Sequence, residues 1–244
     1  MPDAHTAPIS YWSGPGIIQG FITIPKSSKL SPEIFEKWFD EVYVPDLLAT
    51  GIVISSWRFK AADPKYGKPK MFIHKCPDLS PVQAGKLHEV KIASDMFPTN
   101  GSVYDFIESE TNIFSLVQLY ETVKQHEDAA TTVIMAAMEP SPGGEAELDA
   151  WYREEHNQQM SEQPGWKRTT RFNLLLHHKS DGKPTEPLSF LAIHEFGEGH
   201  KIGKDVVPLD PMTDWTKKCM AEARVIDAAV YTKVKTFGEA AASS

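Results

Sequence analysis

The chain has 244 residues, of which 41% are hydrophobic and 24% are charged, and its net charge at pH 7 is −8. This length and composition suit a globular protein with a sizeable core, and they exclude low-complexity disorder and small disulfide-stabilised scaffolds. An acidic chain without a basic block argues against nucleic-acid binding. No apolar run approaches the roughly 18 residues of a membrane span, and the N-terminus lacks the pattern of a signal peptide. The two cysteines, Cys76 and Cys219, form no Cys-x-x-Cys pair and fit a reducing compartment. We therefore predict a cytoplasmic protein that binds neither nucleic acid nor membrane.

The first predicted elements after an N-terminal extension over 1–14 are a strand over 17–24 and a helix. Ser31 suits the N-cap of this helix and Pro32 its first position. Pro45 is expected to end or kink it. Apolar residues at i, i+3, i+4 and i+7 give the helix one apolar face: Phe35, Trp38, Phe39 and Val42. The following elements are predicted as strands over 52–60 and 71–76, a helix over 102–108 and a strand over 113–123.

The chain repeats itself once. Residues 35–43 align with 148–156 at an offset of 113, which also places Arg58 on Arg171, and a slightly larger offset places Phe72 on Phe190. The second copy is predicted as strands over 131–138, 166–176, 189–196 and 224–236 and helices over 145–161 and 212–221. We therefore predict two homologous halves, 15–127 and 130–237, followed by a flexible tail over 238–244.

Each half has the element order β-α-β-β-α-β, which is ferredoxin-like. Such a half leaves one sheet face bare, and two copies in one chain can cover each other. The predicted fold is therefore α+β: two tandem ferredoxin-like repeats that form an intrachain, pseudo-symmetric α+β barrel. A cavity between the two sheets would be a natural small-molecule site.

The residues Trp151-Tyr152-Arg153-Glu154-Glu155-His156, followed by Pro164-Gly165-Trp166 and Arg171-Phe172, resemble the EthD-like branch of the dimeric α+β barrel superfamily. The resemblance covers nearly the whole chain as two copies, an arrangement of the kind found in fungi. It implies the fold and a functional role for His156, whose counterpart in the first half is Tyr43. It leaves the reaction open, because the superfamily includes muconolactone isomerases, polyketide cyclases, cofactor-free quinone-forming monooxygenases, haem enzymes and members without known catalysis.

Three residues are candidates for catalysis. His156 can transfer a proton near neutral pH, although it could also cap the helix end. Tyr43 could donate a hydrogen bond to an enolate or oxyanion, or belong to the core. His194 lies within a strand whose alternate residues face opposite sides, so it either lines a pocket or forms a hydrogen bond within the sheet.

The residues expected to contact the substrate are Tyr152, His74, Arg171, Arg58, Trp166, Trp57, Phe190 and Phe72. The two arginines recur at matched strand positions, where they could clamp a carboxylate or phenolate. The interpretation we favour for them is structural, as partners of repeated carboxylates. No zinc motif, nucleophile elbow or phosphate loop is present, so we predict no metal and no cofactor, with haem bound by a single histidine left as the alternative.

The sequence favours an enzyme over a binding protein. The expected function is cofactor-independent acid–base chemistry, as in an isomerase, cyclase, dehydratase or aldol-type lyase, on an apolar secondary metabolite such as a polyketide-derived one. One alternative is a cofactor-free monooxygenase of an electron-rich aromatic. The other is a ligand-binding or stress-related barrel without turnover. The expected partner is a small-molecule substrate, and a homodimer is left open.

Overall fold

The computed structural model describes residues 11–183, 185–186 and 188–242. These residues form eight strands: β1 (Gly16–Thr23), β2 (Ser55–Ala61), β3 (Lys70–Cys76), β4 (Glu108–Tyr120), β5 (Thr132–Pro140), β6 (Trp166–Lys179), β7 (Phe190–Phe196) and β8 (Ala223–Gly238). The helices are α1 (Pro32–Trp38), α2 (Val44–Ala49), α3 (Ser80–Gln83), α4 (Glu145–Trp151), α5 (Asn157–Ser161), α6 (Asp214–Glu222) and α7 (Glu239–Ala242).

The eight strands close into one antiparallel barrel in the order β1-β3-β2-β8-β5-β7-β6-β4. Within each half the order of strands is the same, β4-β1-β3-β2 and then β8-β5-β7-β6, which is the ferredoxin-like arrangement. The pairs β2–β8 and β4–β6 join the halves, so each half covers the sheet edges of the other. The prediction of an α+β barrel from two ferredoxin-like repeats is confirmed.

The register of the strands aligns the two halves more exactly than the sequence did. In the first half Ile18 lies opposite His74, and in the second half Ile134 lies opposite His194. Phe72 lies opposite Gly20, whose counterpart on β5 is Ala136. Phe190 instead lies opposite Met138, two residues further along β5. The predicted match of Phe72 with Phe190 is therefore wrong. Ser56 pairs with His74, 18 residues later, whereas Thr169 pairs with His194, 25 residues later, so the second hairpin is longer by seven residues and the offset of the third strands is 120.

The barrel interior is mostly filled by apolar side chains. One buried cluster takes residues from all eight strands of the barrel, and these members alternate with residues that face the helices. Its largest members are Phe21, Phe59, Met71, Phe114, Phe172 and Tyr231.

Helices pack against the outside of both sheets. Ser31 caps α1 as predicted, since its hydroxyl accepts a hydrogen bond from the Ile34 amide at 3.2 Å. The helix does not end at Pro45. A π-helical turn over Phe39–Tyr43 joins α1 to α2, and Pro45 is the second residue of α2. A matching π turn over Tyr152–His156 joins α4 to α5, where no proline is present. The π turn is therefore a property of the repeat and does not depend on Pro45.

The second helix predicted in the first half is wrong. Residues 102–108 contain only a 3₁₀ turn, Val103–Asp105, and β4 already begins at Glu108. Val103, Phe106 and Ile107 have helical spacing, but they are buried in one apolar cluster through a short turn instead. The strand predicted over 166–176 is longer in the structure, since β6 continues to Lys179 and pairs with β4.

The C-terminal segment differs from the predicted flexible tail over the part that the structure describes. Gly238 has a φ of +75°, and a Cβ there would lie 2.3 Å from the Ile54 carbonyl oxygen, so only glycine fits. α7 follows, with Ala240 fully buried and its amide donating to Ser55 Oγ at 3.1 Å. Residues 1–10 of the predicted N-terminal extension and residues 243–244 of the tail lie outside the described residues. Within the described residues, no helix combines the length and apolar character needed to cross a membrane.

Candidate functional site

A cavity of about 920 Å³ lies on the outer face of the first-half sheet. Its floor is formed by β1, β3 and β4, and α1 with the following π turn forms one wall. Residues 82–107 form the opposite wall. The lining is mostly aromatic and aliphatic, with Trp12, Phe35, Trp38, Phe39 and Phe72 among its members.

The cavity exists because the two halves are covered differently. In the second half, α6 packs on the sheet, and Trp151 Nε1 donates to Thr216 Oγ1 on that helix at 3.2 Å. In the first half, short turns over residues 80–105 replace this helix, and the cavity lies between these turns, α1 and the sheet. Gly20 lies on the floor, and a Cβ built on it would meet no atom within 4 Å.

His74 is the titratable residue best placed at the buried end of this cavity. It lies on β3 facing the helices, is 5% exposed, and its Nδ1 lies 2.7 Å from Ser56 Oγ on β2. Burial lowers the pKa of His74 to about 4, because the charged imidazolium would lose its hydration. The ring is therefore neutral at pH 7.

Tyr43 lies beside His74 in the cavity wall. The two ring centroids are 6.2 Å apart, and Phe39 packs against both rings. Burial raises the pKa of Tyr43 above its ordinary value, with a smaller contribution from Tyr104, so the phenol keeps its proton. The π turn brings Phe39 and Tyr43 to the same side of the helix, next to Phe72 on β3.

The second half contains a packed cluster at the equivalent place. His156 stacks on Trp151 with centroids 4.2 Å apart and meets His194 edge-on at 5.4 Å. His194 Nδ1 lies 2.9 Å from Thr169 Oγ1, which repeats the contact of His74 with Ser56. Burial and then the charge of Arg171 lower the pKa of His156 to about 4. The Nδ1 atom of His156 is buried without a hydrogen-bond partner.

The structure thus brings His156, His194 and Tyr152 together, and it places Tyr43 and His74 together in the other half. Burial raises the pKa of Tyr152 to about 12. The pKa of His194 lies well below its ordinary value because of burial, followed by the effects of His156 and Arg171.

Both arginines pair with carboxylates of the first helix in their own half. Arg58 Nη1 contacts Glu36 Oε2 at 2.8 Å, and Arg171 Nη2 contacts Asp149 Oδ1 at 2.8 Å. Arg58 also reaches Asp40 at 3.0 Å. The Arg171 guanidinium lies over the Tyr152 ring at 4.4 Å. These contacts match the structural interpretation of the repeated arginines.

The remaining predicted contact residues are spread over different sites. Phe72 lines the outer cavity, and Phe190 packs beside the Trp151 cluster. Trp57 faces the barrel interior, and its Nε1 donates to Asp128 at 3.1 Å. Trp166 donates to Thr169 Oγ1 at 3.2 Å and so supports the residue that contacts His194.

Two features of the site could have been found in the sequence but were not. Ser56 and Thr169 are hydroxyl residues at the same offset of 113 that aligns the first helices. Gly20 interrupts an apolar strand, a signal for close approach or open space. Among the described residues, no group of three or more His, Cys, Asp or Glu side chains is placed to hold a metal ion. Cys76 and Cys219 are both buried and unpaired.

Comparison with known proteins identifies the fold. No protein-family model matches the chain, and no curated protein matches it. Among solved structures, an anthrone oxidase-like protein is 14% identical with a TM-score of 0.54, and the alignment covers 92% of this chain and 93% of that one. A candidate monooxygenase from Lactobacillus acidophilus is 12% identical with a TM-score of 0.53, covering 93% of this chain and 97% of that one.

A candidate monooxygenase from Fusobacterium nucleatum is 9% identical with a TM-score of 0.52, covering 93% of this chain and 95% of that one. At these identities the likeness shows the fold alone. The shared fold is an α+β barrel, and in this chain both ferredoxin-like halves of the barrel belong to one polypeptide.

Proposed function

We propose that this protein oxidises a neutral, fused-ring phenol or anthrone with dioxygen, without a cofactor, in the cavity of the first half. The observation that carries the proposal is the juxtaposition of a neutral, buried His74 and a protonated Tyr43 at the wall of a large aromatic cavity. The names of the structural neighbours, an anthrone oxidase-like protein and two candidate monooxygenases, support oxygen chemistry over the acid–base lyase or isomerase chemistry expected from the sequence.

His74 is the proposed base. With the ring proton on Nδ1 donated to Ser56 Oγ, the Nε2 atom has a free electron pair for a substrate proton. Removal of a proton from the methylene carbon of an anthrone leaves an electron-rich anion. The hydroxyl of Tyr43 can donate a hydrogen bond to the oxygen of that anion.

The anion itself supplies the electrons that reduce dioxygen. A carbon–oxygen bond forms and gives a hydroperoxide at the former methylene carbon. Loss of the second proton from this carbon and cleavage of the O–O bond release water and leave a ketone. The balance is anthrone plus O₂ to anthraquinone plus H₂O, with no further reductant.

Other predictions from the sequence also remain open to test. Four statements remain predictions: membership of the EthD-like branch, the bounds 15–127 and 130–237 of the two homologous repeats, homodimer formation and a cytoplasmic location. His156, His194 and Tyr152 are proposed to support the fold of the second half and to take no part in the reaction, because the space around them is filled by Trp151 and the residues beneath α6.

The test is oxygen uptake and anthraquinone formation with anthrone as the probe. His74→Asn is expected to lower turnover by roughly 10²–10⁴-fold, the usual contribution of a general base. The matched control is His194→Asn, which removes the corresponding histidine of the second half and is expected to keep turnover within a few-fold. Gly20→Leu places a side chain in the open floor of the cavity and is expected to abolish anthrone binding with the fold intact.

The outcomes separate the three functions. Proton exchange or rearrangement of a substrate without oxygen uptake would favour the acid–base reaction. Binding that Gly20→Leu abolishes, with no turnover of any probe, would favour a ligand-binding protein. If His194→Asn loses turnover while His74→Asn keeps it, the reaction site lies in the second half, and the proposal is contradicted.

A further inference from the structure

A second cavity lies inside the barrel, at the end that the segment between the halves crosses. Its volume is about 210 Å³, and its walls combine residues from both halves. The apolar lining includes Ile17, Phe59, Ile73, Val133, Phe172 and Ile193.

The connecting segment over residues 126–130 crosses this end of the barrel. Arg168 Nη2 donates to the carbonyl oxygens of His126 and Glu127 at 2.7 and 2.8 Å. The Asp128 carboxylate accepts hydrogen bonds from Trp57, Lys233 and Thr236 at 3.1, 2.8 and 2.7 Å. The segment is therefore held in place by side chains from three strands, and the cavity beneath it is preformed.

The charged groups around this cavity are paired with one another. Lys75 pairs with Glu127, Lys233 with Asp128 at 2.8 Å, and Arg168 with Glu195 at 2.9 Å. A charged ligand would have to break one of these partly buried pairs and leave a charge uncompensated, which costs several kcal/mol. The lining therefore selects a neutral molecule with little polar surface.

The volume limits the size of this molecule. A dry apolar cavity of about 150 Å³ in a protein holds benzene. A cavity of about 210 Å³ has room for one further fused ring. We propose that the barrel interior is a second ligand site, for a compact, neutral, apolar molecule with the dimensions of two fused rings.

This site is separate from the proposed reaction cavity. Two adjacent residues of β1 point into different spaces: Ile17 lines the barrel cavity, and Ile18 lines the outer cavity. Among the described lining residues, none belongs to both cavities. Occupancy of the barrel site can therefore be measured whether or not the outer cavity performs the proposed oxidation.

The test is a titration with naphthalene, followed through the methyl NMR signals of the isoleucines. The methyl groups of Ile17, Ile73 and Ile193 are expected to shift in a saturable manner. Gly20→Leu is expected to leave these shifts unchanged, since its side chain enters only the outer cavity. Val133→Phe is expected to weaken naphthalene binding, as read from these shifts, at least tenfold, because the larger ring occupies the barrel site.

Two results would overturn the proposal. One is that, in the unmodified protein, the three methyl signals stay unchanged at every naphthalene concentration up to its solubility limit. The other is that Gly20→Leu abolishes their shifts, which would show that the ligand acts from the outer cavity. If Val133→Phe fails to fold, Ala130→Leu provides a smaller change in the same lining, and the titration of the unmodified protein still decides the question.

Discussion

His74, His156 and His194 share one property that sets the response of the protein to acid. Burial lowers the pKa of each below its ordinary value, to about 4 for His74 and His156. A folded-state pKa below the unfolded value of 6.5 means that the unfolded chain binds protons first as the pH falls. The stability that the neutral rings contribute is therefore complete above pH 6.5 and is lost as the pH falls towards 4.

The stability of His74→Asn measures the contribution of one ring. A shift from 6.5 to about 4 corresponds to about 3 kcal/mol of unfolding free energy. Between pH 7 and pH 4, the free energy of unfolding of the unmodified protein is expected to fall by about 3 kcal/mol more than that of the variant. Urea unfolding at both pH values measures the difference. His178→Gln, at an exposed histidine, is the control and should follow the unmodified protein. Equal acid sensitivity of His74→Asn and the unmodified protein would show that the ring of His74 titrates normally.

The pH dependence of anthrone turnover provides a second test of His74. If His74 is the base, its neutral form persists to about pH 4, so turnover of anthrone should stay level as the pH falls from 7 to 5. A rise of turnover with pH centred near 6.5 would instead indicate a solvated imidazole. Initial rates of oxygen uptake across this range distinguish the two.

For individual residues, the sequence predicts ion-pair partners better than it predicts which side chains line the open cavity. Arg58 and Arg171 recur at a fixed offset, and the matching carboxylates Glu36 and Asp149 recur at the same offset, so paired ions could be expected. The sequence could not show which half contains the open cavity. That depends on how residues 82–107 pack over the sheet, which no local pattern encodes.

The π turn is the element that most directly shapes the site. It occurs at Phe39–Tyr43 and at Tyr152–His156, and in each case the backbone amide of the next residue donates to the carbonyl five positions earlier. A π turn is equivalent to one residue inserted into an α-helix and is frequent at functional sites. Here it sets the direction of Tyr43 without moving the buried residues of α2.

Deletion of one residue from this turn should convert it to regular α-helix. Glu41 is exposed within the first π turn, and Glu154 is its exposed counterpart in the second. Deletion of Glu41 is expected to rotate either Tyr43 or the buried Val44 and Leu47 out of place, with loss of anthrone binding. The free energy of unfolding should fall by roughly 2–5 kcal/mol, the range for a lost large apolar side chain.

Deletion of Glu154 is the matched control for this prediction. It should lower stability by a similar amount while turnover by the folded fraction stays within a few-fold. Binding titrations and urea unfolding of both variants provide the comparison. Full anthrone binding after deletion of Glu41 would show that the π turn does not position Tyr43.

Elements with a strong local pattern were predicted well, and those fixed by distant contacts were not. Ser31, Pro32 and a clear apolar stripe predicted α1. Residues 102–108 carry a similar helical spacing, yet β4 begins within them because Glu108 pairs with Thr23 on β1. Pairing of strands that are far apart in sequence overrode the local preference there.

For the whole molecule, the repeat was the most informative signal. Two copies of β-α-β-β-α-β, each with an uncovered sheet face, predict the closed barrel from the sequence alone. The structure adds that closure uses the edge strands: β2 pairs with β8, and β4 with β6. Both sheet edges of each half are therefore covered within one chain, and a homodimer, if it forms, would use another surface.

A half-chain provides the test of this dependence. Residues 1–127 alone would expose the unpaired edges of β2 and β4 together with the apolar inner face of the sheet, which includes Phe21, Phe59 and Phe114. Exposed strand edges and a large apolar surface favour association. We expect this fragment to dimerise into a barrel or to aggregate, and the mass measured by light scattering after size exclusion will show which. Mixing it with residues 130–244 should give a one-to-one complex, because each fragment offers the edges that the other lacks. A stable, monomeric and well-folded fragment would show that one sheet can exist without the other, and the barrel would then be an association of two independent domains.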